Sequence, residues 1–207
     1  MTRGLVRFQE TRHSHFVTFS CRHRRAYFVS TELFELFIQC LEEMRLRFDM
    51  CIYGYVVMPE HVHLLLSEPA RVRLAEAIHF LKLSFAKRAR PLRFPEAQIL
   101  QTQVSAQKTG ANLGHRRVFS SDSSFWEKRY YDRNVRDHDE FTVKLDYMHR
   151  NPVTRGLVRT AEEWPWSSYR HYALCEIGMV EIESEWTAQE RERRVCGGEA
   201  RIFLRPA

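Results

Sequence analysis

The hydrophobic and polar positions of this chain change period several times before residue 90. Phe16-Val17-Thr18-Phe19-Ser20-Cys21 alternates with period two, which predicts a strand with Val17, Phe19 and Cys21 on one face. Ser30 and Thr31 then offer hydroxyls for a helix start, and Glu32 suits a first helical turn. Leu33, Leu36, Phe37, Cys40, Leu41 and Met44 recur at helical spacing, so a helix is predicted to about Arg47. Residues 51–57 are rich in aromatic and β-branched side chains and read as a second strand. A tight connection at Pro59 and Glu60 leads into His61-Val62-His63-Leu64-Leu65-Leu66, which is predicted to pair with it as a hairpin. Over 72–89 the period returns to 3.6, with Leu74, Ile78, Leu81 and Phe85 as the buried stripe.

The order β-α-β-β-α predicts an α+β fold of the ferredoxin-like, or RRM-like, kind: an antiparallel sheet with helices on one face and the other face left to carry a site. Residues 94–124, rich in Gln, Ser, Thr, Asn and Gly, sustain no period and read as a long irregular excursion. The aromatic stretch 125–131 is expected to supply the closing strand. Asp137 followed by Glu140 resembles a capping box and begins another helix, with Phe141, Leu145 and Met148 as its core stripe. Pro152 is expected to end that helix, because the residue before a proline disfavours the helical region. Residues 1–172 then form one domain and 173–207 a C-terminal tail.

The chemistry begins at His61 and His63. Strand side chains alternate between faces, so both imidazoles point one way while Val62, Leu64 and Leu66 point the other. Two neutral imidazoles on one face make half of a divalent-metal site, although a bare His-x-His also suits ordinary strand histidines. On the later helix Tyr147 and Asn151 stand one turn apart, off the core stripe, and are therefore neighbours. Tyr130 and Tyr131, in the predicted closing strand, are the competing hydroxyls; a structural or base-stacking role suits them.

Charge adds a partner. Residues 71–93 hold seven basic side chains against Glu76 alone, a local excess equal to the +6 of the whole chain. Residues 1–29 add Arg3, Arg7, Arg12, Arg22, Arg24 and Arg25 against Glu10, whereas the tail over 176–192 is acidic. Such polarity points to a polyanion, most simply nucleic acid, or else to a solvated basic face. The candidate nucleic-acid contacts are Arg71, Arg73, Lys82, Lys87, Arg88, Arg90, Arg22, Arg24 and Arg25. Five scattered cysteines without a C-x-x-C pair imply neither a disulfide framework nor a zinc ribbon. No signal-peptide core and no apolar run near about 18 residues is present, so no membrane span and a cytoplasmic, nucleoid-associated location are expected.

Several blocks together resemble a known family. They are Tyr53-Gly54-Tyr55-Val56-Val57-Met58-Pro59-Glu60-His61-Val62-His63-Leu64, then Tyr147-Met148-His149-Arg150-Asn151-Pro152-Val153, then Gly156-Leu157-Val158 and Trp164-Pro165-Trp166-Ser167-Ser168-Tyr169. In this order, over about residues 10–172, they resemble the single-tyrosine HUH transposases, and more closely the REP-associated tyrosine transposases. The resemblance implies that His61 and His63 bind Mg²⁺ or Mn²⁺ with Asn151 as third ligand, and that Tyr147 is the nucleophile. It implies cleavage and rejoining of single-stranded or hairpin-flanking DNA through a 5′-phosphotyrosine, on REP-type palindromic repeats, by a monomer or a homodimer. The excursion at 94–124 looks longer than the family pattern. Two other readings stay open: a ferredoxin-like nucleic-acid-binding module in which Tyr53, Tyr55 and the basic helix hold RNA, and a metal-dependent nuclease that uses water.

Overall fold

A computed structural model describes residues 13–93 and 124–202, with the side chains of 93 and 195–202 excepted. Most of the 94–124 excursion, Arg3, Arg7, Arg12 and the Cys196 side chain lie outside the described residues. Four strands, β1 (Ser14–Ser20), β2 (Ile52–Val57), β3 (His61–Leu66) and β4 (Tyr131–Val135), form one antiparallel sheet in the order β2-β3-β1-β4. Helices α1 (Thr31–Phe48) and α2 (Leu74–Arg93) cover one face. This is the expected ferredoxin-like order. Val17, Phe19, Val62, Leu64 and Leu66 project under those helices into an aromatic-rich core with Phe28, Phe37, Phe85 and Trp126. Burial of that many large apolar side chains is the main stabilising term. No helix among the described residues is long and apolar enough to cross a membrane.

The closing strand differs from the sequence expectation. Trp126 makes an isolated bridge to Cys21, and with Phe125 it plugs the main core, where Trp126 sits edge-on to Phe19 with centroids 4.9 Å apart. The strand proper begins only at Tyr131. Its apolar alternation is missing because Tyr131 and Arg133 are exposed and the one inward polar residue, Asp132, is bonded to a histidine. That partner, His15, is fully buried, with Nδ1 2.8 Å from Asp132 and Nε2 3.0 Å from Glu68.

The second face is not left bare. Helix α3 (His138–Thr154) lies across it, burying Met148 with Phe16, Val56, Met58, Leu65 and Val135 in a smaller core. Asp137 caps it as expected, accepting the Glu140 amide N–H at 2.7 Å. The helix nevertheless runs through Pro152 instead of stopping there. A proline costs the N–H bond to the carbonyl one turn earlier, and here the following backbone offsets that loss. The Gly156 N–H donates to Val153 O and the Leu157 N–H to Pro152 O, with Gly156 left-handed at φ 68°. These two bonds form a Schellman ending that only a residue tolerant of positive φ completes cheaply.

Close approach of α3 depends on Gly54 in β2. A Cβ there would stand 2.7 Å from both Leu145 Cδ1 and Met148 Cε. The Trp164-Pro165-Trp166-Ser167-Ser168 segment then runs along the outer edge of β2. Val57 N–H donates to Trp166 O, Ser168 N–H to Tyr55 O, and the Trp164 indole N–H to Val57 O at 3.1 Å. Trp166 stacks on Phe34 of α1 with centroids 4.9 Å apart and so anchors the segment. Further along, a short helix α4 (Tyr169–Leu174) and a final helix α5 (Glu185–Ile202) follow, and Val180 and Ile182 between them enter the main core.

Candidate active site

The alternation of β3 turns His61 and His63 away from α1 and α2, toward α3. Both are buried, and their Nε2 atoms face each other at 3.0 Å. Each ring is held from behind: Glu60 Oε1 lies 3.0 Å from His61 Nδ1, and Thr18 Oγ1, from the neighbouring strand, 2.7 Å from His63 Nδ1. From α3, Asn151 reaches across so that Nδ2 lies 3.0 Å from His63 Nε2. One turn earlier, the Tyr147 ring stands edge-on to His63 at 5.6 Å and to Phe16 at 6.2 Å. Tyr147 is 52% exposed, so its side chain is accessible from solvent.

Electrostatics keep the two imidazoles neutral. Burial pushes His63 down to about 3, helped by His61 and by the positive charges of Arg155, Lys144 and Arg24. Burial also lowers His61, and Glu60 opposes that shift. A neutral imidazole keeps the lone pair that a metal needs. The donor set fits a small divalent cation. With bonds of about 2.1 Å, adjacent ligands of an octahedral ion stand roughly 3.0 Å apart, which matches both separations found here. The amide oxygen of Asn151 is buried with no hydrogen-bond partner, and a half-turn of the amide exchanges it with Nδ2. No group of three His, Cys, Asp or Glu side chains capable of holding a metal occurs among the described residues, so two imidazoles and one amide are what the site offers.

The cleft in front of these residues is lined by Phe16, Thr18 and Ser20 of β1, Arg24, Tyr131 of β4, and Lys144, Tyr147 and Arg155 of α3 and its cap. Lys144 Nζ sits 5.2 Å above the Phe16 ring. Of the nine candidate DNA contacts read from the sequence, Arg24 lines this cleft. The α2 group is on the opposite side of the sheet. There Lys82 Nζ donates to Glu127 O at 2.7 Å, and Arg88 donates to Glu43 and Gln39 of α1. Arg71 and Arg73 precede α2 and are exposed, as are Lys87 and Arg90. Arg22 pairs with Glu127 at 3.5 Å, and Arg25 is exposed. Sequence reasoning missed Lys144 and Arg155, and also Phe16 and Thr18, which share one face of β1 but reach the site only through the pairing of that strand with β3. Tyr131, for which the sequence suggests a structural or base-stacking role, stands opposite Thr18 in the β1–β4 register.

Other residues singled out earlier settle elsewhere. Tyr55 is buried, so it offers no surface on which a base could stack. Tyr130 packs against the main core. His149 is pushed down to about 4 by burial, and its Nε2 lies 2.9 Å from Ser168 Oγ, which also accepts the Tyr55 N–H. It ties the tyrosine helix to β2. Arg150 pairs with Asp146 one turn away at 2.9 Å.

Comparison with known proteins shows what the chain is similar to. Residues 9–102 match the family model described as transposase, IS200-like. A REP-associated tyrosine transposase of Haemophilus influenzae is 28% identical over 122 residues, 58% of this chain; the chain spans 60% of that protein's length. The REP-associated tyrosine transposase of Escherichia coli is 22% identical over 179 residues, 85% of this chain and 90% of its own. A solved structure of a REP-associated tyrosine transposase bound to a REP hairpin shares the fold. Its TM-score is 0.60 at 18% identity, and 88% of this chain and 93% of that one are covered. The chain is thus similar to REP-associated tyrosine transposases, and its residues 9–102 match the IS200-like transposase pattern.

Proposed function

We propose that this protein is a transposase that cuts and rejoins one DNA strand, single or flanking a hairpin, with Tyr147 as nucleophile and His61, His63 and Asn151 holding Mg²⁺ or Mn²⁺. The observation that carries the reading is the convergence of Tyr147 and Asn151, one turn apart on α3, onto His63 of β3. A bound divalent ion would neutralise oxygens of the scissile phosphate and orient it for in-line attack. The chain's own groups do the rest. Lys144, Arg155 and Arg24 hold neighbouring phosphates, and exposed Tyr131 offers a face on which a base can stack. The Tyr147 oxygen forms a bond to phosphorus as the bond to the 3′-oxygen breaks. The products are a 5′-phosphotyrosyl link and a free 3′-hydroxyl, so attack by that hydroxyl reverses the step without a nucleotide triphosphate.

REP-type palindromic repeats are the favoured substrate, by analogy with the relative seen on a REP hairpin. The test is a hairpin oligonucleotide with single-stranded flanks, labelled at its 3′ end and incubated with protein and Mn²⁺. A transesterification leaves the label on the protein through denaturing electrophoresis. Cut DNA without labelled protein would indicate a hydrolytic nuclease, and bound but uncut DNA a recognition module.

A further inference from the structure

We propose that Glu60 and Thr18 are positioning residues that fix the proton of each histidine on Nδ1, so that both Nε2 lone pairs face one divalent cation. The proposal rests on the metal-site reading above and goes beyond it. A neutral imidazole has one N–H and one lone pair, and the partner of one nitrogen decides the role of the other. His61 Nδ1 lies 3.0 Å from the Glu60 carboxylate. A carboxylate only accepts, so the proton of His61 is held there and Nε2 is left bare. His63 Nδ1 lies 2.7 Å from Thr18 Oγ1, and a hydroxyl can accept that N–H while its own proton turns elsewhere.

The two supports are unequal. Glu60 is the residue before the pair, at the hairpin turn, and adds a negative charge beside the cation. Thr18 stands opposite His63 in the β1–β3 register, is neutral, and is delivered by a different strand. Residue 60 therefore governs cation affinity by charge and tautomer together, and residue 18 by tautomer and ring orientation alone. Glu60→Ala is expected to be more damaging than Glu60→Gln, since glutamine still accepts through its amide oxygen. Thr18→Ser is expected to restore what Thr18→Val loses.

The experiment is a titration of the full chain with Mn²⁺, following the free-ion electron paramagnetic resonance signal, beside ¹⁵N imidazole shifts that report the tautomers. Circular dichroism selects folded variants, and Thr18→Ala stands in if Thr18→Val fails. His61→Ala and His63→Ala are expected to abolish binding. Glu60→Gln and Thr18→Val are expected to raise the Mn²⁺ dissociation constant by roughly 10- to 100-fold, with the Nδ1-protonated signature kept in Glu60→Gln and diminished in Thr18→Val and Glu60→Ala. Dissociation constants within twofold of wild type in both, beside loss in the histidine variants, would overturn the positioning roles alone. Unchanged Mn²⁺ binding in the histidine variants would overturn the metal site itself, and the positioning roles with it.

Discussion

Asn151 and His63 stand 88 positions apart in the chain, yet their side-chain nitrogens lie 3.0 Å apart across the interface between α3 and β3. That single distance joins the strand that carries both histidines to the helix that carries the tyrosine. It also leaves the other amide atom, Oδ1, buried and unpartnered. Asn151→Ala is expected to raise the Mn²⁺ concentration needed for half-maximal cleavage by about tenfold, roughly 1.4 kcal/mol. Water can replace one neutral ligand, so the loss should be smaller than in His61→Ala or His63→Ala. A metal titration of cleavage rate in the three variants checks the order.

The nucleophile is separable from its neighbour across the cleft. Tyr147→Phe is expected to form no denaturant-resistant adduct with labelled DNA while binding it normally. Tyr131→Phe should form the adduct at wild-type levels, and Tyr131→Ala should bind single strands about 5- to 100-fold more weakly, the range for loss of one stacked base. An adduct from the Tyr147→Phe protein would shift the assignment to another hydroxyl.

Salt dependence distinguishes the two faces of the sheet. Each phosphate contact on a single strand contributes about 0.7 to the slope of log affinity against log salt. Replacing Arg24, Lys144 and Arg155 together by alanine is therefore expected to flatten that slope by about two. The α2 residues Lys87 and Arg90, exposed on the opposite side, should change it little when neutralised as a pair. Fluorescence anisotropy at several salt concentrations measures both.

The reach of the sequence follows from this contrast. A period of two sufficed to put His61 and His63 on one face, and a turn of 3.6 sufficed to pair Tyr147 with Asn151. Both are local rules, and both hold. Charge carries no such rule. The excess at 71–93 is plain in the sequence, but which side of the sheet α2 covers is a matter of tertiary packing, and it covers the side away from His61. The end of α3 was misread for a related reason. Proline disfavours a helix locally, and the compensating bonds of Gly156 and Leu157 come from residues beyond it. Strand β4 hid its period because an inward carboxylate takes the place of an apolar side chain, and its histidine partner lies 117 positions away.

That partner predicts a pH dependence. Burial alone would lower the pKa of His15, but its hydrogen bonds to Asp132 and Glu68 outweigh burial and hold it above its ordinary value. A raised folded-state pKa means that protonated His15 stabilises the fold fully below the unfolded value of about 6.5. The contribution is lost as pH rises through the folded-state value. The stability difference between wild type and His15→Gln is therefore expected to shrink from pH 6 toward pH 9. Urea unfolding across that range reads it, and a difference that grows with pH would contradict the assignment.

Gly54 bears on how such a protein can vary. Its missing Cβ leaves the room that Leu145 and Met148 occupy, so the three positions form one volume shared between β2 and the tyrosine helix. Drift at any of them is then not independent. A side chain acquired at 54 is admitted only where the ends of Leu145 and Met148 turn aside or are trimmed, and where they cannot, it lifts the helix from the sheet. Tyr147 and Asn151 would move with the helix. The range of sequences open to β2, a strand that contributes no group to the chemistry, is set by the placement of residues that do.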